Sequence, residues 1–168
     1  MRAISRTLGL LALAITAVPS SASAAISAPA EQFVLTGPAY ALRRCDLAIG
    51  SCGKDAFAVQ LLDDGEADDE GRVHKRLSLP GMELQVVAPG NRPSAYFIQT
   101  LTISAPAWPL PYKLKIGSTR KLVEGKLGRP SSSTGRCSTY ASGSRAARAE
   151  FCYASDKLSR LTWNRTPE

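Results

Sequence analysis

Four cysteines, Cys45, Cys52, Cys137 and Cys152, all lie downstream of an N-terminal stretch that reads as an export leader. Arg2 and Arg6 precede an uncharged, mostly apolar run over residues 8–18, followed by the small residues of 20–25, which is the order of a secretory signal. Eleven apolar residues fall well short of the roughly 20 that cross a bilayer as a helix, so removal after Ala24 is expected in place of a retained anchor. An even set of cysteines in an exported chain implies disulfides, and these tie the fold before any core is considered. Three pairings exist. Cys45 with Cys52 and Cys137 with Cys152 is preferred because each pair lies within one local stretch, and the second is spaced to face itself across a hairpin. Zinc is disfavoured: no C-x-x-C occurs, and the single histidine, His74, stands in a charged segment far from every cysteine.

Loss of residues 1–24 leaves 144 of the 168, enough for one domain of ordinary size. Charge divides unevenly along it. Residues 25–110 hold seven Lys or Arg against ten Asp or Glu, whereas residues 111–168 hold twelve against four. A basic half attracts anionic wall polymer or lipid, and the inferred compartment weighs against nucleic acid, which is not expected as a partner. Six acids crowd residues 63–70. Read as a calcium loop from Asp64, that segment places Asp69 where the EF-hand turn needs glycine and Lys75 where it needs glutamate, so a solvated acidic loop is expected.

Around the acidic loop the pattern is strand-like: an apolar stretch over 56–62, Met82, Leu84 and Val86 at alternate positions in 81–88, and an aromatic, Ile and Thr-rich run over 95–104. Pro89-Gly90-Asn91 supplies a turn between the last two. The charged stretch containing His74 reads as loop. Pro106, Pro109 and Pro111 then make residues 105–112 a stiff connector, with Trp108 packing it onto the body.

Beyond the connector the signals sharpen. Ser118 or Thr119 caps a short helix over 120–127, in which Val123 and Leu127 share a face. Gly128 suits the left-handed position after it, and Pro130 prevents continuation. Gly125 within the helix implies a close approach to a sheet. Three strands follow, over 137–141, 149–154 and 158–164, with Phe151 beside Tyr153 on one face and Leu161 beside Trp163. Ser155-Asp156 is a tight turn, and the Ser/Gly-rich stretch at 143–145 is the other hairpin loop.

The run Ile116-Gly117-Ser118-Thr119-Arg120, Val123, Leu127-Gly128-Arg129-Pro130, a strand with Cys137 and Tyr140, and a closing strand ending in Trp163 resembles the helix-plus-sheet repeat of the SmpA/OmlA outer-membrane assembly lipoproteins. It is also similar to the repeat of the secreted β-lactamase inhibitor proteins. The likeness spans residues 113–164. The acylated cysteine of the assembly lipoproteins has no counterpart here, so no membrane anchor is expected, and residues 25–112 show no second Gly-Thr-helix-Leu-Gly-x-Pro pattern. In such folds the sheet face holds partners, which makes Tyr140, Tyr153, Arg160 and Trp163 candidate contacts.

The expected fold class is therefore α+β: mostly antiparallel β, with one short helix packed on a C-terminal three-stranded sheet and a β-rich N-terminal half. The expected organisation is a leader over 1–24, the β-rich half over 25–104, the connector over 105–112 and the helix-plus-sheet unit over 113–168. No catalytic residue is assigned, because a histidine-dependent nucleophile would need His74 in a cleft, the cysteines are bridges, and the acids crowd one loop. No phosphate-cradling glycine loop or dinucleotide fingerprint occurs, so no cofactor and no metal are expected. These readings imply a non-catalytic periplasmic or secreted binding module of the bacterial envelope, accessory to envelope assembly or maintenance. Its partner would be another envelope or secreted protein. A protein inhibitor or immunity protein that blocks a hydrolase or toxin is one alternative, and a binder of anionic wall polymer or lipid is another.

Overall fold

The structure is a computed structural model that describes residues 26–47, 50–62, 71–89, 96–144 and 146–166. The expected leader over 1–24, the acidic segment 63–70 and the Gly90-Asn91 turn lie outside the described residues. Among the described residues no helix is long and apolar enough to cross a membrane.

The architecture corrects the expected fold class. Among the described residues there are two α-helices, α1 (Ala28–Ala41) and α2 (Arg120–Leu127), and the C-terminal strands belong to an eight-stranded antiparallel sheet instead of forming a three-stranded one. Three two-residue strands, β1 (Cys45–Asp46), β2 (Ser51–Cys52) and β3 (Asp55–Ala56), make a small separate sheet. The large sheet comprises β4 (Ala58–Leu61), β5 (Arg72–Leu79), β6 (Met82–Pro89), β7 (Phe97–Ile103), β8 (Ser132–Thr134), β9 (Cys137–Ala141), β10 (Ala147–Ala154) and β11 (Lys157–Arg165). Its spatial order is β4-β5-β6-β7-β11-β10-β9-β8. That is the order two four-stranded meanders give when their last strands pair, and each meander follows a helix in the chain. The pairing of β7 with β11, Thr100 opposite Asn164 and Leu101 opposite Trp163, closes the seam.

The helix α1 was hidden by Gly37 and Pro38 within it. Its start nevertheless follows local rules: Ser27 caps it by accepting from the Ala30 N–H at 3.4 Å, a proline stands in the first turn, and Glu31 faces the positive end of the helix dipole. Gly37 is required by packing. A Cβ there would lie 2.5 Å from the Trp163 ring, so only glycine lets the helix rest on that indole. Phe33 of α1 stacks on Trp163 with ring centroids 5.3 Å apart and meets Phe151 at the same distance. The Trp163 indole N–H donates to the Phe33 carbonyl at 3.3 Å.

The helix α2 matches its expected span, with Thr119 as the cap, its hydroxyl accepting from the Leu122 N–H at 3.2 Å. Gly128 follows with φ of +81°, the conformation that glycine tolerates best. The Ser27 hydroxyl donates to the Leu127 carbonyl, which ties the start of α1 to the end of α2. Gly125, by contrast, faces open space, so the expected close approach at that residue is not what it provides.

Both helices lie on one face of the sheet. Leu77, Leu79, Met82, Leu84, Leu101, Ile103, Ala149, Phe151, Leu161 and Trp163 point toward them and form one continuous core. The charged stretch around His74, expected as loop, is the strand β5, paired along its length with β6. Trp108 packs the connector against the core and donates its indole N–H to the Pro80 carbonyl at 3.0 Å.

Both disulfides are the preferred pairs, Cys45–Cys52 and Cys137–Cys152. Each joins residues directly opposite in adjacent strands, Cys45 with Cys52 across β1 and β2, and Cys137 with Cys152 across β9 and β10. Ser155 and Asp156 form the tight turn between β10 and β11, both with positive φ, as a two-residue hairpin turn requires.

Candidate functional site

Because both described helices cover one face, alternation along each strand sends every second side chain to the opposite face, which is free of helix among the described residues. Register then aligns those side chains in rows across the strands. One row runs Arg76, Gln85, Thr100, Asn164 and Arg148, each directly opposite the next, over β5, β6, β7, β11 and β10. At roughly 4.8 Å between strands, Arg76 and Arg148 stand about 19 Å apart at the two ends. The neighbouring row runs Glu83, Thr102, Thr162 and Glu150. Carboxylates thus sit in one row and guanidinium and amide groups in the other. Hydroxyls and an amide hold the middle: Thr102 and Thr162 are hydrogen-bonded at 3.2 Å, and the Thr100 hydroxyl donates to Asn164 Oδ1 at 3.3 Å.

The disulfide Cys137–Cys152 also lies on this face, in line with Arg160, which is opposite Cys152. Glu150 Oε1 and Arg160 Nη2 flank the Cys152 sulfur at 3.5 and 3.7 Å. Cys137, Glu150 and Cys152 bring ligand atoms within 4.8 Å of one another. With the two sulfurs bonded to each other, neither is the thiolate a metal needs.

The four residues singled out as partner contacts separate. Arg160 is exposed on the helix-free face. Tyr140, Tyr153 and Trp163 are buried on the covered face, at 0, 3 and 3% exposure, beneath the helices and out of a partner's reach. Sequence alternation grouped Tyr153 with Phe151 but could not tell which face the helices take. The Tyr140 hydroxyl donates to the Gly128 carbonyl at 2.9 Å, fastening β9 to the end of α2, and burial raises its pKa well above the ordinary tyrosine value. The Tyr153 hydroxyl is buried without a hydrogen-bond partner; burial pushes its pKa up to about 12, against the lowering influence of Arg120. The nearby Ser138 hydroxyl eases that ionisation slightly without making a bond of normal geometry. Arg120 lies over the Tyr153 ring, 4.4 Å from its centroid, and donates to Ser138 Oγ at 3.2 Å, so this corner is a polar staple between α2 and the sheet.

Sequence reading missed the row of Arg76, Gln85, Thr100, Asn164 and Arg148. Its signal was available only in pairs, as polar residues alternating with Leu77, Leu84, Leu101 and Trp163, and the rows emerge once register is fixed.

Two depressions adjoin at the end of β7 and β11. On the helix-free side a polar pocket of about 320 Å³ is lined by Gln85, Thr100 and Arg148, and by Gln99, Asn164 and Arg165. On the helix side an apolar one of about 180 Å³ is lined by Val34, Leu35, Pro38, Tyr96 and Phe97. Gln99, Asn164 and Arg165 belong to both. Compared with protein-family models, with curated proteins and with solved structures, the chain gives no match.

Proposed function

We propose that this chain is a non-catalytic binding module of the periplasm or the extracellular space of a bacterium, accessory to envelope assembly or maintenance, and that it engages another envelope protein through the helix-free face of its sheet. One observation carries the reading. Both helices lie on one side of a continuous eight-stranded sheet, leaving the other side a broad surface of ordered polar rows. The residues of that surface are held by backbone pairing on rigid strands and need little ordering on contact, which favours recognition. The two disulfides and the leader-like N-terminus support an oxidising compartment.

A second reading, inhibition of a secreted hydrolase or toxin, is favoured by the doubling of a helix and a four-stranded meander. That doubling is the arrangement a diverged second copy of the C-terminal unit would give.

Capture from an envelope extract separates these. Mature, oxidised protein is expected to retain one partner in stoichiometric amount, and Thr162→Arg, at the middle of the open face, is expected to lose it. A hydrolase whose activity falls on capture selects the inhibitor reading. Association with wall or lipid material that disappears on raising salt selects the anionic-polymer reading, and capture indifferent to Thr162→Arg contradicts a role for this face.

A further inference from the structure

The polar pocket beside the seam has a one-sided chemistry. Its lining offers two guanidinium groups, three side-chain amides and the Thr100 and Thr166 hydroxyls, and no described carboxylate. Among the described residues no salt bridge engages Arg148 or Arg165; Arg165 lies over the Phe97 ring at 5.8 Å, a contact that leaves the outer edge of a guanidinium open. Arg148 faces Asn164 across the strands, while Glu150 stands in the next row, opposite Thr162. Planar guanidinium and amide donors that line one pocket match a planar carboxylate acceptor.

The second feature is the continuity with the apolar depression. Gln99, Asn164 and Arg165 form the wall between them, and Leu35 and Tyr96 on the apolar side are 42 and 40% exposed. A ligand filling both presents an anionic group and an apolar group a few ångströms apart. An extended polypeptide does this with neighbouring residues, whose side chains point to opposite sides. An anionic sugar polymer would instead want flat aromatic platforms, and the ring of Phe97 is already covered by Arg165.

We propose that this two-part groove is a peptide-docking site, in which an acidic side chain of an extended partner segment meets Arg148 and Arg165 while the adjacent apolar side chain enters the Val34–Leu35–Tyr96 side. The proposal rests on the reading that the chain binds a protein partner, and it names the chemistry of that partner's docking segment.

The experiment uses the mature, oxidised, isotopically labelled protein and the probe acetyl-Glu-Leu-Glu-Leu amide, followed by nuclear magnetic resonance. Shifts at the side-chain amides of Gln85, Gln99 and Asn164 and at the Leu35 backbone are expected. Arg148→Gln and Arg165→Gln, both at exposed positions, are each expected to weaken the probe about tenfold, the effect of one charge-assisted bond. A response equal to that of acetyl-Gln-Leu-Gln-Leu amide overturns the carboxylate assignment. So does inorganic phosphate that shifts the same amides as strongly at the same concentration. A silent acidic peptide alongside capture that still depends on Thr162 overturns this groove and leaves the partner-binding face standing; loss of capture as well removes both.

Discussion

Two tyrosines buried side by side make opposite use of their hydroxyls. Tyr140 donates its proton to the Gly128 carbonyl, so Tyr140→Phe leaves a half-buried acceptor unmet and is expected to cost about 1 kcal/mol. Tyr153 has no such partner, and Tyr153→Phe is expected to be neutral or stabilising by denaturant unfolding. Alkali sharpens the contrast. The unfolded phenol titrates near 10 and the folded Tyr153 near 12, so the folded chain holds this proton more tightly. Stability is therefore full below pH 10 and falls as the pH rises from 10 to 12, with Tyr140 acting in the same direction. Unfolding midpoints at pH 8, 10 and 11 are expected to decline, less steeply in Tyr153→Phe. The two helical glycines diverge in the same way. Gly125→Ala meets open space and is expected to add about 0.5–1 kcal/mol, whereas Gly37→Ala drives a methyl into Trp163 and is expected to cost about 1–3 kcal/mol. Sequence alone assigned Gly125 the tight contact because it lay in the only visible helix; the contact belongs to a glycine in the helix that its own Gly-Pro pair concealed.

At the scale of elements, legibility followed local chemistry. The helix α2 announced itself through Thr119, Val123, Leu127 and Gly128, all within ten residues, and its bounds were read correctly. The hairpin of β10 and β11 was legible from Ser155-Asp156, and the cysteine spacing placed Cys137 opposite Cys152. The strand β5 was not, because Lys75 and Arg76 masked the alternation of Val73, Leu77 and Leu79, whose meaning depends on Ala88, Leu84 and Met82 next door. The strand β8, Ser-Ser-Thr, has no apolar residue at all and exists by pairing with β9. The disulfide Cys137–Cys152 closes a 15-residue separation around this edge. In the chain-entropy account such a loop contributes about 3 kcal/mol, so Cys137→Ser with Cys152→Ser is expected to lower stability by that order in chemical unfolding. An unchanged midpoint would mean that β8 to β10 are held without it.

For the molecule as a whole, the decisive fact is the join between β7 and β11, which no local signal reports: Thr100, Thr102, Thr162 and Asn164 are separated by some sixty residues and meet only in the finished sheet. It turns two halves of opposite charge into one surface, and it puts both helices on one side. The partner face follows from that arrangement, which is why the individual contacts expected from aromatic residues fell on the covered side while Arg160 alone fell on the open one. Hydroxyl-radical footprinting of the protein free and in its captured complex tests the assignment most directly. Protection concentrated on Thr100, Thr162, Arg148 and Arg160, with α2 unchanged, is the expected result. Protection of the exposed residues of α2, Lys121, Leu122 and Lys126, with the open face still fully labelled, would contradict it.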